Sequence, residues 1–199
     1  MIKPLVIFKD VDVQQQWFLD NNKILDLLHD WKFTTSENGW TSNAISLEWL
    51  RTVFIPQTRL KNSNRWRLLI VDGHGSYISD DFMWHCFSNK IYMPFLPAHA
   101  SHVLQPLDLS IFSPLKSAYQ KLIDDYNLTT DSAPIHKWQF FECYVLAQKE
   151  AIIERNIRAG WKVIGLWPVN LQMPLKNSLS LDILAGRTRK KQTPSLTSS

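Results

Sequence analysis

Residues 68–77 read LLIVDGHGSY, an apolar run that ends on one aspartate and a Gly-His-Gly turn. We predict a strand over 65–72, RWRLLIVD, because the continuous apolar run that it contains is typical of a parallel strand buried on both faces. A carboxylate at the end of such a strand is costly to bury unless it is paired or bound to a metal. Asp72 therefore either caps the turn or is held at the strand end to bind a cation.

The segments around this strand predict an alternation of strands and helices. Two further strands are predicted, at 4–8 and 91–97. Four helices are predicted: one that starts at Ser42 or Asn43, one over 79–90, one that starts at about 109 and one over about 136–159. A linker is predicted at 129–138. This order is typical of an α/β fold. We expect strands 4–8, 67–72 and 91–96 to share one sheet, with 68–72 central and helices near 44–55 and 79–89 covering it.

The composition predicts one domain with a sizeable core, since 45% of the 199 residues are hydrophobic. We place the folded domain at 1–175 and a polar, basic, disordered tail at 176–199. The net charge of +4 is compatible with a polyanionic partner. Positive charge gathers over residues 51–67 and in the tail, at Arg187, Arg189, Lys190 and Lys191.

Cofactor-binding cysteines and membrane segments are not expected. Cys86 and Cys143 lack metal-ligand spacing and read as reduced thiols of an intracellular protein. No apolar run approaches the roughly 18–20 residues of a membrane span. The start of the chain is not a signal peptide, because its apolar run is short and is followed by charges.

A second acid completes the candidate site. Asp108 follows the strand at 91–97, and a strand–helix–strand crossover brings the carboxyl ends of its two strands side by side, where functional groups gather. Two hard carboxylates there predict a Mg²⁺ or Mn²⁺ site. Two metals about 3.5–4 Å apart would hold both oxygens of a phosphoryl transfer.

Other readings stay open for these polar residues. Asp72 could be a turn residue and Asp108 an ordinary helix N-cap. His99 and His102 could be zinc ligands, although polar loop histidines fit their surroundings better. A hydrolase nucleophile is not indicated, because Ser76 is followed by Tyr77 rather than by glycine.

Three stretches resemble one family: LLIVDGHGSY (68–77), LPAHASHVLQPLDLSIFSPLKSAYQK (96–121) and RAGWKVIGLWPVN (158–170). They look like the DDE superfamily endonuclease domain of pogo/Tigger-type transposases, relatives of the centromere-protein-B and jerky-like proteins. PLVIFKDVDVQQQWF (4–18) and TSENGWTSNAISLEWL (35–50) resemble the fungal branch of that group. The resemblance runs from about Pro4 to Asn170.

The resemblance implies an RNase H-like fold, a mixed sheet flanked by helices, in a nuclear protein that cuts and joins DNA. In this family three acids bind two divalent metals, Mg²⁺ or Mn²⁺. The second acid maps to Asp72 and the third to Asp108, which makes both the expected catalytic and metal-binding residues. Nucleic-acid contacts are expected from His74, His99, His102 and Lys116. Tyr77 stands where family members commonly have histidine.

The first acid of the family lies upstream of the segment that matches PLVIF. We therefore expect an incomplete fold without this acid and its central strand, inactive in DNA cleavage, with an exposed sheet edge that invites self-association. Asp10 and Asp12 read as loop acids. The alternatives are an active nuclease completed by Asp10 or by an acid of a partner chain, and a protein- or DNA-interaction module without catalysis.

Overall fold

The computed structural model describes residues 2–14, 17, 26, 28–61, 64–72, 79–97, 104–129 and 137–175. The predicted tail at 176–199 and most of the predicted linker lie outside these residues. Short strands alternate with helices, which confirms the α/β class. The elements are β1 (Leu5–Lys9), β2 (Lys32–Ser36), α1 (Asn43–Trp49), a π-helical segment (Leu50–Phe54), α2 (Ile55–Gln57), β3 (Arg67–Leu68), α3 (Asp80–Ser88), β4 (Ile91–Tyr92), α4 (Pro106–Ser110), α5 (Phe112–Thr129), α6 (Lys137–Ala151), α7 (Glu154–Val163) and α8 (Gln172–Leu175).

The first sheet pairs β1 with β2 in parallel, with Ile7 opposite Thr34. Strand β2 was not predicted, although its sequence KFTTS, preceded by Trp31, is rich in the aromatic and β-branched residues that favour strands. A turn at Asn38-Gly39 follows it. Gly39 has a φ of 76°, a left-handed conformation that glycine adopts without a steric penalty.

The second sheet pairs β3 with β4 in parallel, and it is shorter than predicted. An isolated parallel bridge, Val71 to Phe95, continues the pairing after a gap. Pro94 lies in that gap and has no N–H to donate, which explains why the ladder is interrupted.

The prediction that all three strands share one sheet is wrong. Within the described residues the strands form two separate two-stranded sheets, and β1 belongs to the first while β3 and β4 form the second. Each strand finds a parallel partner on one side only, so the expected central position of 68–72 is not reached. The single mixed sheet expected from the resemblance is likewise replaced by two parallel pairs.

The helices predicted beside the second sheet are present. Ser42 caps α1 by accepting from the Ile45 N–H, and Ser79 caps α3 by accepting from the Phe82 N–H, each at 3.3 Å. The π-helical segment that continues α1 and helix α3 pack onto β4 through one buried cluster. Its members are Leu50, Phe54, Phe82, Cys86 and Ile91.

Helix α6 covers the first sheet, and α5 packs against α6. Phe141 is fully buried and makes edge contacts with the rings of Phe8, Trp31 and Phe33. The single helix predicted from 136 to 159 is wrong, because α6 ends at Ala151 and α7 starts at Glu154. Ile153 has extended backbone at the break, and the Asn156 side chain donates to the Ala151 carbonyl at 2.9 Å.

Candidate active site

Asp72 stands directly after the last paired residue of the second sheet. Val71 is buried, and its carbonyl accepts a hydrogen bond of 2.8 Å from the Leu96 N–H. Asp72 itself is exposed. The prediction that a carboxylate lies at the carboxyl end of this strand is therefore confirmed, and solvent reaches the side chain.

Asp108 is the third residue of α4, and it is half-buried. Gln105 occupies the N-cap position, and Pro106 is the first helical residue. The reading of Asp108 as an N-cap is therefore wrong. A carboxylate within the first helical turn is favoured by the positive end of the helix dipole.

Helix α4 is held in place by α7, and Gly160 makes the close approach possible. A Cβ added at Gly160 would meet the Pro106 carbonyl oxygen at 2.7 Å and the Ser110 hydroxyl closer still. Gly160 is buried at this crossing. The stretch RAGWKVIGLWPVN thus supports the helix that carries Asp108, a role that sequence reasoning missed. A glycine inside a helical pattern was the available signal.

Both acids come after the carboxyl ends of the paired strands of the second sheet. Asp72 follows Val71, and Leu96, which is bonded to Val71, begins the segment that leads to Asp108. The pairing of the two carboxylates stays a prediction. His74, His99 and His102 lie outside the described residues, so their predicted contacts with nucleic acid also remain predictions.

Comparison with known proteins identifies the family. The model of the DDE superfamily endonuclease family matches residues 1–161, which include Asp72, Asp108 and Gly160. This chain belongs to the DDE superfamily endonuclease family. The match extends from before β1 into α7 and thus covers both sheets.

One curated relative shares much of this region. It is described as the MFS-type transporter clz9 of Cochliobolus lunatus and is 36% identical over 168 residues. The alignment covers 84% of this chain but only 18% of the relative, so the chain spans about a fifth of that protein. The search of solved structures gave no significant match. Among the described helices, none combines the length and apolarity that a membrane crossing requires.

The donor chemistry of the two acids fits a hard divalent metal. Mg²⁺ is commonly held by one or two carboxylates, with water and substrate phosphates as the remaining ligands. Within the described ranges no group of three or more His, Cys, Asp or Glu side chains is placed to hold a metal. Asp72 and Asp108 would therefore need ligands from water, from the substrate or from residues outside those ranges.

Asp10 lies beside a lysine side chain. It lies in the bend after β1, as predicted, and its Oδ2 is 3.8 Å from the Lys137 Nζ. That ammonium also lies 3.1 Å from the centre of the Trp17 ring, a cation–π contact. Asp10 thus takes part in the attachment of α6 to the first sheet. Asp12 is exposed in the same bend.

Lys116 lies on the exposed face of α5. It lines a shallow groove of about 530 Å³ together with Lys121, Asp124 and Asp125. The two carboxylates in the same groove reduce its attraction for phosphate. The predicted contact of Lys116 with nucleic acid remains a prediction.

The two cysteines are free and buried, in agreement with the prediction of reduced thiols. Burial raises the pKa of Cys86 to about 11, and the positive charge of Arg67 opposes this shift. Burial also raises the pKa of Cys143. Both thiols therefore stay protonated at neutral pH and are poor nucleophiles.

Proposed function

We propose that this chain is a transposon-derived nuclease domain of the pogo/Tigger type, which binds DNA and descends from enzymes that cleave DNA with a divalent metal. The observation that carries the proposal is the placement of Asp72 at a strand end and Asp108 in the first turn of a helix, in a chain of the DDE endonuclease family. In this proposal the two parallel strand pairs belong to an RNase H-like fold within residues 1–175.

Asp72 and Asp108 are proposed as ligands of Mg²⁺ or Mn²⁺. The exposed carboxylate of Asp72 is open to a metal that arrives with water or with a DNA phosphate. The half-buried carboxylate of Asp108 is fixed to α4, whose position is set by α7. A bound metal would polarise the phosphate and lower the pKa of an attacking water.

We further propose that the 199-residue chain binds metal and DNA but does not cleave DNA by itself. The family mechanism uses three acids, and the two assigned here supply two of them. Asp10, the candidate for a third, is paired with Lys137. With one ligand fewer, the metal binds more weakly and the charge that develops on the reacting phosphate is less well compensated.

Two measurements on the full chain test this proposal. Calorimetric titration with Mn²⁺ should show binding that weakens in both Asp72→Asn and Asp108→Asn. A plasmid-nicking assay with Mn²⁺ should show no more cleavage by the wild type than by the double variant Asp72→Asn/Asp108→Asn. Glu150→Gln serves as a control, since this exposed acid lies on α6.

Different results would overturn different parts of the proposal. Mn²⁺ affinity that is equal in the wild type and both aspartate variants would remove the assignment of the ligands. Nicking by the wild type that Asp72→Asn abolishes would show that another acid completes the site, and the chain would then be an active nuclease.

The transporter description belongs to the relative and to a protein much longer than the aligned region. We propose a nuclear location instead, from the kinship with pogo/Tigger-type proteins and the basic residues of the tail, which lie outside the described ranges. A fluorescent fusion excluded from the nucleus would contradict it.

Self-association is proposed because each two-stranded sheet leaves backbone groups at its edges, which are templates for pairing. Light scattering during size-exclusion chromatography should give a mass above the 23.2 kDa of one chain. A mass that stays monomeric at high protein concentration would contradict self-association.

A further inference from the structure

A cavity of about 450 Å³ opens at the amino-terminal ends of β3 and β4. Four cationic residues line it: Arg59, Arg65, Arg67 and Lys90. Among the described residues in its wall there is no carboxylate. The cavity therefore concentrates positive charge without internal compensation.

Arg67 builds the wall of this cavity. Its guanidinium donates to the Ile55 carbonyl at 3.2 Å, the Thr58 hydroxyl at 2.7 Å and the Asn89 carbonyl at 2.8 Å. These bonds tie the end of α2 to the end of α3. Burial lowers the pKa of Arg67, Cys86 opposes this, and the positive charge of Arg59 lowers it further. An anion in the cavity would relieve the repulsion between the two arginines.

The other cations are available to a ligand. Arg59 and Arg65 are exposed, and neither makes a hydrogen bond or ion pair with the described part of the chain. Lys90 donates to the Asn64 side chain at 3.1 Å. Its φ of 54° lies in the left-handed region that glycine usually occupies after a helix.

An aromatic surface continues from the cavity. A second cavity of about 410 Å³ is lined by Trp66, Arg67, Leu68 and Tyr92, so Arg67 belongs to both walls. Trp66 is 53% exposed and Tyr92 is 64% exposed. The Trp66 ring also lies 5.9 Å from the ring of Phe87, which braces it. Two largely exposed rings thus stand next to the cationic cavity.

We propose that this basic–aromatic cleft, formed by Arg59, Arg65, Lys90, Trp66 and Tyr92, binds single-stranded DNA. Phosphates contact the three cations, and bases stack on the two rings, the combination that single-strand binding without sequence preference uses. A double helix keeps its base faces covered and cannot use the rings. The choice of DNA rests on the proposed function.

The cleft is separate from the candidate active site. Asp72 lies five residues after Arg67, which corresponds to about 16 Å along a strand. The cleft opens at the start of the second sheet, whereas Asp72 follows its end. A single strand held in the cleft can therefore be bound without the metal ligands.

Anisotropy of a labelled oligo(dT) of about 12 nucleotides, titrated with the full chain in EDTA, tests the inference. We expect Trp66→Ala to weaken binding by roughly five- to a hundred-fold through loss of stacking. Arg59→Ala/Arg65→Ala should weaken binding at low salt and reduce the salt slope by about 1.4, at roughly 0.7 for each phosphate contact.

Matched controls lie elsewhere on the surface. Trp40→Ala removes a tryptophan that is 73% exposed between β2 and α1, and Arg155→Ala removes an exposed arginine of α7. Both should bind oligo(dT) as the wild type does. Circular dichroism and thermal melts establish that each variant is folded, and a variant that fails is replaced by Trp66→Leu or by Arg59→Gln/Arg65→Gln.

The outcomes separate this inference from the proposed nuclease. Oligo(dT) binding is measured in EDTA, without metal, so its result does not depend on what the plasmid-nicking assay shows. The inference is overturned if the wild type does not bind, if the cleft variants bind as tightly as the controls, if duplex DNA of equal length binds as well, or if oligo(rU) binds more tightly than oligo(dT). If the rings served only to join two copies of this chain, the wild type would not bind oligo(dT).

Discussion

Substituting Gly160 by alanine tests how tightly α7 holds the helix that carries Asp108. In an exposed helix, alanine in place of glycine stabilises by about 1 kcal/mol. At Gly160 the new methyl group would lie 2.7 Å from the Pro106 carbonyl oxygen, well inside van der Waals contact. The obstacle is backbone, so it cannot be relieved by turning a side chain.

The net effect follows from these two opposing contributions. Overpacking by one methyl group typically destabilises by about 1–3 kcal/mol. After the helix-propensity gain is subtracted, we expect Gly160→Ala to lower the free energy of unfolding by about 0–2 kcal/mol. In a protein of this size, about 1 kcal/mol corresponds to a change of roughly 2–4 °C in Tm.

Thermal unfolding followed by circular dichroism measures this change. Ala159→Gly is the matched control, because the neighbouring residue is exposed and reports helix propensity alone, with an expected loss of about 1 kcal/mol. Mn²⁺ titration of Gly160→Ala should also show weaker binding, since α4 must shift. A rise in Tm of about 2 °C or more would refute the reasoning, because it would mean that the helices are not in close contact.

Three further variants test the packing of the fold. Ser79→Ala removes the cap that accepts from the Phe82 N–H and should lower stability by about 1 kcal/mol in urea melts; an unchanged midpoint would contradict the cap. Phe141→Ala should cost about 3–5 kcal/mol, because its fully buried ring leaves a cavity beneath α6, and a loss below about 1 kcal/mol would argue against this core. Stability should fall as pH rises from about 9 toward 11, because folded Cys86 keeps its proton while the unfolded thiol loses it. Cys86→Ala should flatten this part of the pH curve, and an equally steep fall in that variant would assign the effect elsewhere.

Local interactions explain what could be predicted about the fold. The N-caps Ser42 and Ser79 act on backbone N–H groups three residues ahead, so their sequence neighbourhood contains both partners. The turn at Gly39 is local in the same sense. The position of Asp72 at a strand end could likewise be predicted, because the apolar run and the acid are adjacent in the sequence.

Predictions failed where contacts between segments distant in the sequence determine the structure. The helix expected at 136–159 is divided at Ile153, where α7 leaves the direction of α6 to pack on α4 through Gly160. The spacing of apolar residues within 136–159 does not indicate this packing against α4. The predicted single sheet is divided for a related reason, since the choice of partner strand depends on packing across the whole domain rather than on strand propensity.

The sequence by itself determined the α/β class, the caps of two helices and the family, because these depend on neighbouring residues and on motifs read in order. The tertiary structure decided which side chains meet. Arg67 and Lys90 are far apart in the chain, and they line one cavity because β3 and β4 pair in parallel with Arg67 opposite Ile91. Such proximity arises from strand register and helix packing, which are set by the burial of the whole core and not by any one segment.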